Sequence, residues 1–139
     1  MYKTILLLST IVGVLGLTAT TALAHHSFAM FDDSKTVAVE GTVTEFQFTN
    51  PHSWLEIDVP AAGGAKHWSL EMNNLVGLRR VGWRAKTLKP GDKIKAQLHP
   101  LRDGTSGGQL LSITFPNGTT YDGQGRKPIS GAVKPIVAD

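Results

Sequence analysis

The chain has 139 residues, with 14 lysines and arginines against 11 aspartates and glutamates, and no cysteine. This length fits one domain with a core of its own, and a net charge of +3 spread along the chain is too small to indicate nucleic-acid binding. The absence of cysteine excludes disulfides, thiolate metal sites and thiol catalysis.

The first 24 residues predict a cleavable signal peptide. A short positive start precedes an apolar stretch over residues 5–17, and Ala22 and Ala24 occupy the −3 and −1 positions of an A-x-A cleavage site. The apolar stretch has 13 residues, whereas a membrane-spanning helix needs roughly 20, so a retained anchor is the weaker interpretation. Cleavage after Ala24 would place the protein in the periplasm or outside the cell, with no embedded segment, and would make His25 its first residue.

Alternating apolar residues predict five β-strands. In the first strand, over residues 36–48, the apolar face changes between Val43 and Phe46 and Gly41 lies inside the run, which indicates a bulge or a sharp coil. Pro51 follows the strand and stops it, because proline has no N–H for the ladder. The other four strands are predicted over residues 53–59, 66–72, 93–99 and 109–115.

Between the third and fourth strands the apolar period becomes helical. Either Asn73 or Asn74 can cap a short helix there, and Gly82 is a plausible end for it. Its apolar residues at helical spacing are Leu75, Leu78 and Val81.

Five strands with a helix between the third and the fourth is the layout of an OB-fold, a partly open Greek-key barrel. We therefore predict a mainly β fold: a five-stranded OB-fold-like barrel with one short helix, in a single domain over residues 25–115, preceded by the signal peptide. A sandwich or a twisted meander would have the same order of elements and is the alternative. Residues 116–139 are rich in Gly, Pro, Asn and Lys, and we interpret them as a flexible C-terminal tail.

Histidines carry the main functional signal. Cleavage would leave His25 at the N-terminus, where its α-amine, which ordinarily has a pKa of about 7.7–8.0, and its ring Nδ1 can chelate one metal ion. A further imidazole would complete a three-nitrogen site that suits Cu(II). We predict that His52, in the corner after Pro51, supplies it, with His26 and His99 as auxiliary ligands. The alternative is a solvated terminus and a corner that only turns the chain.

Other interpretations remain open. The outer face of the barrel can bind a small molecule or an oligosaccharide through Trp54, Trp68, Glu71 and Arg80, although Glu71 can equally pair with an arginine, Arg79 or Arg80. The domain can also be an interaction module that docks on another protein of the cell envelope without a ligand of its own. The sequence contains no nucleophile elbow and no spacing that implies paired carboxylates, so it does not predict an enzyme.

Several short motifs lie along the chain: Ala24-His25-His26-Ser27-Phe28, Asn50-Pro51-His52-x-Trp54, Trp68-x-Leu70-Glu71, Arg80-x-Gly82-Trp83, Pro90-Gly91-Asp92 and Pro100-x-Arg102-Asp103-Gly104. Together they resemble a family of small exported bacterial proteins of unknown function. The resemblance extends from the signal peptide to about Gly118 and implies export and an OB-like fold, but no activity. The layout is also loosely similar to periplasmic OB-fold proteins of stress responses, which bind small ligands or cations.

Overall fold

The computed structural model of the chain describes residues 29–131. The predicted signal peptide, His25 and His26 lie outside the described residues. No helix in the described range is long and apolar enough to cross a membrane. The elements, numbered in chain order, are β1 Val37–Gln47, β2 Trp54–Ala61, β3 Gly64–Glu71, α1 Leu75–Arg80, β4 Lys93–Pro100, β5 Gly107–Thr114 and β6 Thr120–Asp122.

Five of these strands close into a barrel. Their order in the sheet is β3-β2-β1-β4-β5, and a parallel pairing of β3 with β5 joins the two ends. Glycine at position 107 permits this closure, because a Cβ there would lie 2.7 Å from the carbonyl oxygen of Ser69 on β3. The helix α1 lies between β3 and β4 in the chain. The predicted five-stranded barrel with one short helix is thereby confirmed.

The long first strand belongs to both halves of the barrel. Its first part pairs with β4 and its second part with β2, and Thr42 has a partner on each side. The pairing with β2 shifts register between Val43 and Glu45, which confirms the bulge predicted there. A bulge bends a strand and increases its twist, so β1 can change partners without a break in the chain.

The core fills the barrel and extends under α1. The strand residues that point inward are buried, and Leu78 of α1 and Trp83, just after it, are fully buried in the same core. Asn74 caps α1, with its side-chain oxygen accepting a hydrogen bond from the backbone N–H of Gly77 at 2.9 Å. The buried strand residues are Val43, Leu55, Ile57, Leu70, Ile94, Ala96, Leu98, Leu110 and Ile113.

The segment after Phe115 corrects the prediction of a flexible tail over residues 116–139. Thr120–Asp122 forms β6, which pairs antiparallel with β5. The Tyr121 side chain is fully buried and its ring lies 5.0 Å from that of Trp83, whose indole Nε1 donates to the carbonyl oxygen of Asp122 at 2.8 Å. These contacts come from residues far apart in the chain, which is why local composition does not reveal them. Residues 132–139 lie outside the described range.

Candidate functional site

The corner before β2, which contains the cis Asn50–Pro51 peptide bond, is held by hydrogen bonds on both sides. Within it, the hydroxyl of Thr49 donates to the carbonyl oxygen of His52, and the hydroxyl of Ser53 donates to that of Thr49, both at 3.1 Å. Ser53 is fully buried, and its backbone exchanges hydrogen bonds with Met72 and Asn73, just after β3. These hydrogen bonds fix the backbone that carries His52 against the end of β3.

His52 faces Glu71, the last residue of β3. Nδ1 of the ring lies 2.5 Å from Oε1 of the carboxylate, and the two side chains are 34% and 10% exposed. One proton must lie between these atoms, because two bare acceptors would repel each other at this distance. Burial raises the pKa of Glu71, and attraction to the His52 ring opposes that rise.

The carboxylate fixes the chemistry of the ring. When Nδ1 donates its proton to Glu71, the neutral ring keeps its lone pair on Nε2. Within residues 29–131, no hydrogen bond or ion pair engages Nε2 of His52. This arrangement orients the imidazole for a metal ion or for proton transfer. It also makes Nε2 more basic and therefore a stronger electron-pair donor to a metal. The alternative in which Glu71 pairs with Arg79 or Arg80 is wrong, because its partner is His52.

A row of side chains on the outer face leads from this pair to His99. Glu71 is opposite Trp54 on β2 and Gln109 on β5, and Gln109 is opposite His99 on β4. Directly opposed residues share a face of the sheet. His99 donates from Nδ1 to the carbonyl oxygen of Lys35 at 2.7 Å, so its neutral ring also keeps Nε2 as the acceptor.

The two histidines are nevertheless separate in the described barrel. Two interstrand spacings, about 10 Å, lie between the backbone of Glu71 and that of His99. In the part of the chain that the structure describes, no three His, Asp or Glu side chains form a group that could hold a metal ion. Of the four predicted copper ligands, His52 and His99 are therefore placed apart, and His25 and His26 lie outside the described residues.

His67 belongs to a second polar cluster, on the outer face of the β2–β3 hairpin. Its Nδ1 lies 3.0 Å from a carboxylate oxygen of Asp58, and its Nε2 lies 3.0 Å from one of Glu56. The hydroxyl of Ser69 donates to the other oxygen of Glu56 at 2.8 Å. The hydrogen bond to Asp58 is the main cause of the raised pKa of His67, and Glu56 adds to it. Both ring nitrogens are engaged, so this cluster is an ion-pair network.

Sequence reasoning missed this cluster, although a signal for it was present. Acidic residues alternate along β2 and polar residues alternate along β3. The short turn between the two strands places Asp58 opposite His67 and Glu56 opposite Ser69.

The four residues predicted to bind a small molecule or an oligosaccharide do not share one face. Trp54 is opposite Glu71 on the outer side of the sheet, whereas Trp68 is opposite the buried Ile57 and packs against the core. Arg80 is exposed at the end of α1. Trp54 and Glu71 are neighbours, but Trp54 and Trp68 do not form a common stacking platform.

A groove of about 550 Å³ lies elsewhere, where β1 passes from β4 to β2. Its walls include Lys93, Lys95 and Thr114, and it contains neither His52 nor Glu71. The concave surface of the barrel and the histidine pair are thus two different places.

A family model described as a family of unknown function, DUF6152, matches residues 14–110 of the chain. No curated protein and no solved structure matches the chain.

Proposed function

Because the chain belongs to the DUF6152 family, whose function is unknown, we propose a function from its own residues: it is an exported protein that binds copper. In this proposal, cleavage after Ala24 frees the α-amine of His25. The amine and Nδ1 of His25 chelate Cu(II), and Nε2 of His52 is the third nitrogen. His26 is an auxiliary ligand, whereas His99, which is placed apart from His52 in the described barrel, is not part of this site.

The pair of His52 and Glu71 carries the proposal. A histidine that binds a metal usually donates its other ring N–H to a carboxylate or a carbonyl, which fixes the tautomer and the orientation of the ring. His52 has this arrangement, with Nδ1 2.5 Å from a mostly buried carboxylate. The corner that carries it is fixed by buried hydrogen bonds at Ser53, so the ring needs little reorganisation to accept a ligand.

Copper suits the proposed donors better than other common metal ions. Three nitrogen donors favour Cu(II), which prefers tetragonal geometry and leads the divalent affinity order. Calcium and magnesium prefer oxygen ligands. The chain contains no cysteine, so a thiolate site for zinc is excluded.

Copper titration of exported, processed protein tests the proposal. Intact mass first establishes that the chain begins at His25. Competition against a chelator then measures the affinity for Cu(II), and electron paramagnetic resonance counts the coupled nitrogens. We expect tight binding of one copper ion, weakened at least tenfold by His52→Ala and by one extra residue before His25.

His67→Ala is the matched control, because it removes an exposed histidine whose two nitrogens contact carboxylates. It should leave the copper affinity unchanged. Micromolar or weaker binding that none of these changes affects would overturn the proposal.

A further inference from the structure

The groove lies where β1 changes its pairing from β4 to β2, so it results from the topology of the barrel. β1 pairs with β4 up to Thr42 and with β2 from Thr42 onward. β4 therefore lies along the first part of β1 and β2 along its second part, and only Thr42 is paired with both strands. Pro60 continues β2 past the last pair with β1, and it has no N–H with which to extend that ladder. A concave surface of about 550 Å³ remains between them.

The walls of the groove are mostly apolar. The exposed Pro60 and Pro116 supply apolar surface, and Ile94 of β4 and Phe115, just after β5, line the groove while almost fully buried in the core. Pockets for small ligands usually have volumes of roughly 300–1,000 Å³ and such walls, with a few polar groups that fix the orientation of the ligand. This groove lies within that range.

The polar groups at the groove are mainly cationic. Lys93 and Lys95 both line it, against a single carboxylate from Glu40. Lys95 and Glu40 are 3.6 Å apart, with side chains 54% and 78% exposed, and such an exposed ion pair is weak and easily exchanged. In the described range, Lys93 has no ion pair. The groove therefore combines an apolar surface with a net positive rim.

We propose that this groove binds a small amphipathic monoanion, of the class of alkyl carboxylates, with its alkyl chain against Pro60 and Pro116 and its carboxylate between Lys93 and Lys95. The hydroxyls of Thr42 and Thr114 also line the groove. Neither the histidine pair nor the N-terminus takes part, so this site is independent of copper.

Decanoate, kept below its micelle-forming concentration, is the first probe. Titration of the exported protein in the presence of a metal chelator, followed by amide chemical shifts, should give saturable shifts at Gly41, Ile94 and Phe115. Octanoate should bind up to about fifteenfold more weakly than decanoate, because it has two fewer methylenes and each one contributes about fourfold to the affinity when it is buried. Decylammonium, which has the same chain and the opposite charge, should not bind.

Substitution of the two lysines separates the site from non-specific adsorption. The double variant Lys93→Gln, Lys95→Gln should lower the affinity for decanoate about tenfold, whereas Lys66→Gln, an exposed lysine of β3 outside the groove, should not. The proposal is overturned if decanoate shows no saturation at low millimolar concentration or if decylammonium binds equally well. Unchanged binding by the double variant, or binding only to phosphatidylglycerol vesicles and not to monomeric decanoate, also overturns it.

Discussion

His52 and Glu71 meet at the entry to β2, with Nδ1 of the ring 2.5 Å from Oε1 of the carboxylate. Two independent features bring them together. Pairing of β2 with β3 places Glu71 opposite Trp54, two residues after His52, and buried hydrogen bonds hold the corner against the end of β3. The pair therefore has little freedom to separate, and its function depends on what Nε2 of His52 contacts.

Replacement of the carboxylate should weaken copper binding without removal of a ligand. Glu71→Ala should lower the affinity for Cu(II) about 10- to 100-fold, because the ring of His52 loses the acceptor that orients it. Glu71→Gln should have a smaller effect, since its amide oxygen still accepts from Nδ1. Chelator competition measures both, and Glu56→Gln, at the other cluster, is the control. Wild-type affinity in a folded Glu71→Ala protein would show that the pair has no role in metal binding.

The cluster around His67 should make stability depend on pH. The hydrogen bond to Asp58, with help from Glu56, raises the pKa of His67 above its usual value of 6.5. A group with a raised folded-state pKa stabilises the protein fully below its unfolded pKa, and this contribution is lost as the pH rises through the folded value. Urea unfolding should therefore show a larger destabilisation by His67→Gln near pH 5 than near pH 9.

Lys66→Gln is the control for that series, because Lys66 is a neighbouring exposed residue whose side chain points to the other face of β3. Its effect should be the same at both pH values. An equal cost of His67→Gln at both pH values would contradict a role for the charged ring.

Tyr121 is a residue at which one substitution, Tyr121→Phe, should not lower the free energy of unfolding. Its ring is fully buried against Trp83 and Phe115, and its hydroxyl has no hydrogen-bond partner among the described residues. A buried polar group without a partner costs about 1–3 kcal/mol, so Tyr121→Phe should raise the free energy of unfolding or leave it unchanged. Tyr121→Ala should lower it by about 3–5 kcal/mol through the cavity it creates. A large loss of stability in Tyr121→Phe, measured by urea unfolding, would show that the hydroxyl is bonded.

The barrel was predictable because its strands are half-buried. Inward residues such as Leu55, Ile57 and Leu70 alternate with polar ones, and this period reveals where five strands lie along the chain. β6 has only three residues, in a segment of turn-forming composition. It is stabilised by the burial of Tyr121 against Trp83, which lies 38 residues earlier. No local pattern reports such a contact.

The site was predictable only in part. The proline corner marks His52 as a constrained residue, but its carboxylate partner depends on the register between β2 and β3. The nearby arginines of the sequence suggest another partner for Glu71, and Arg79 instead lies over the ring of Phe48, 5.6 Å from its centroid. The partner of Glu71 is determined by the register between β2 and β3 and by burial, and not by charge or by proximity in the sequence.

Gly41 should be required for the close approach of β1 to β2. A Cβ at this position would lie 2.8 Å from the carbonyl oxygen of Asp58 and 3.2 Å from a methyl group of Val59. The first of these neighbours is backbone within a paired strand, so it cannot move without cost to the ladder. Gly41→Ala should therefore lower the free energy of unfolding by about 1–3 kcal/mol, measured by urea denaturation. Glu40→Ala, at the adjacent exposed position, should change it by less than about 0.5 kcal/mol. If Gly41→Ala is as stable as the wild type, β1 can move away from β2 freely, and the walls of the groove at this point are not fixed by the fold.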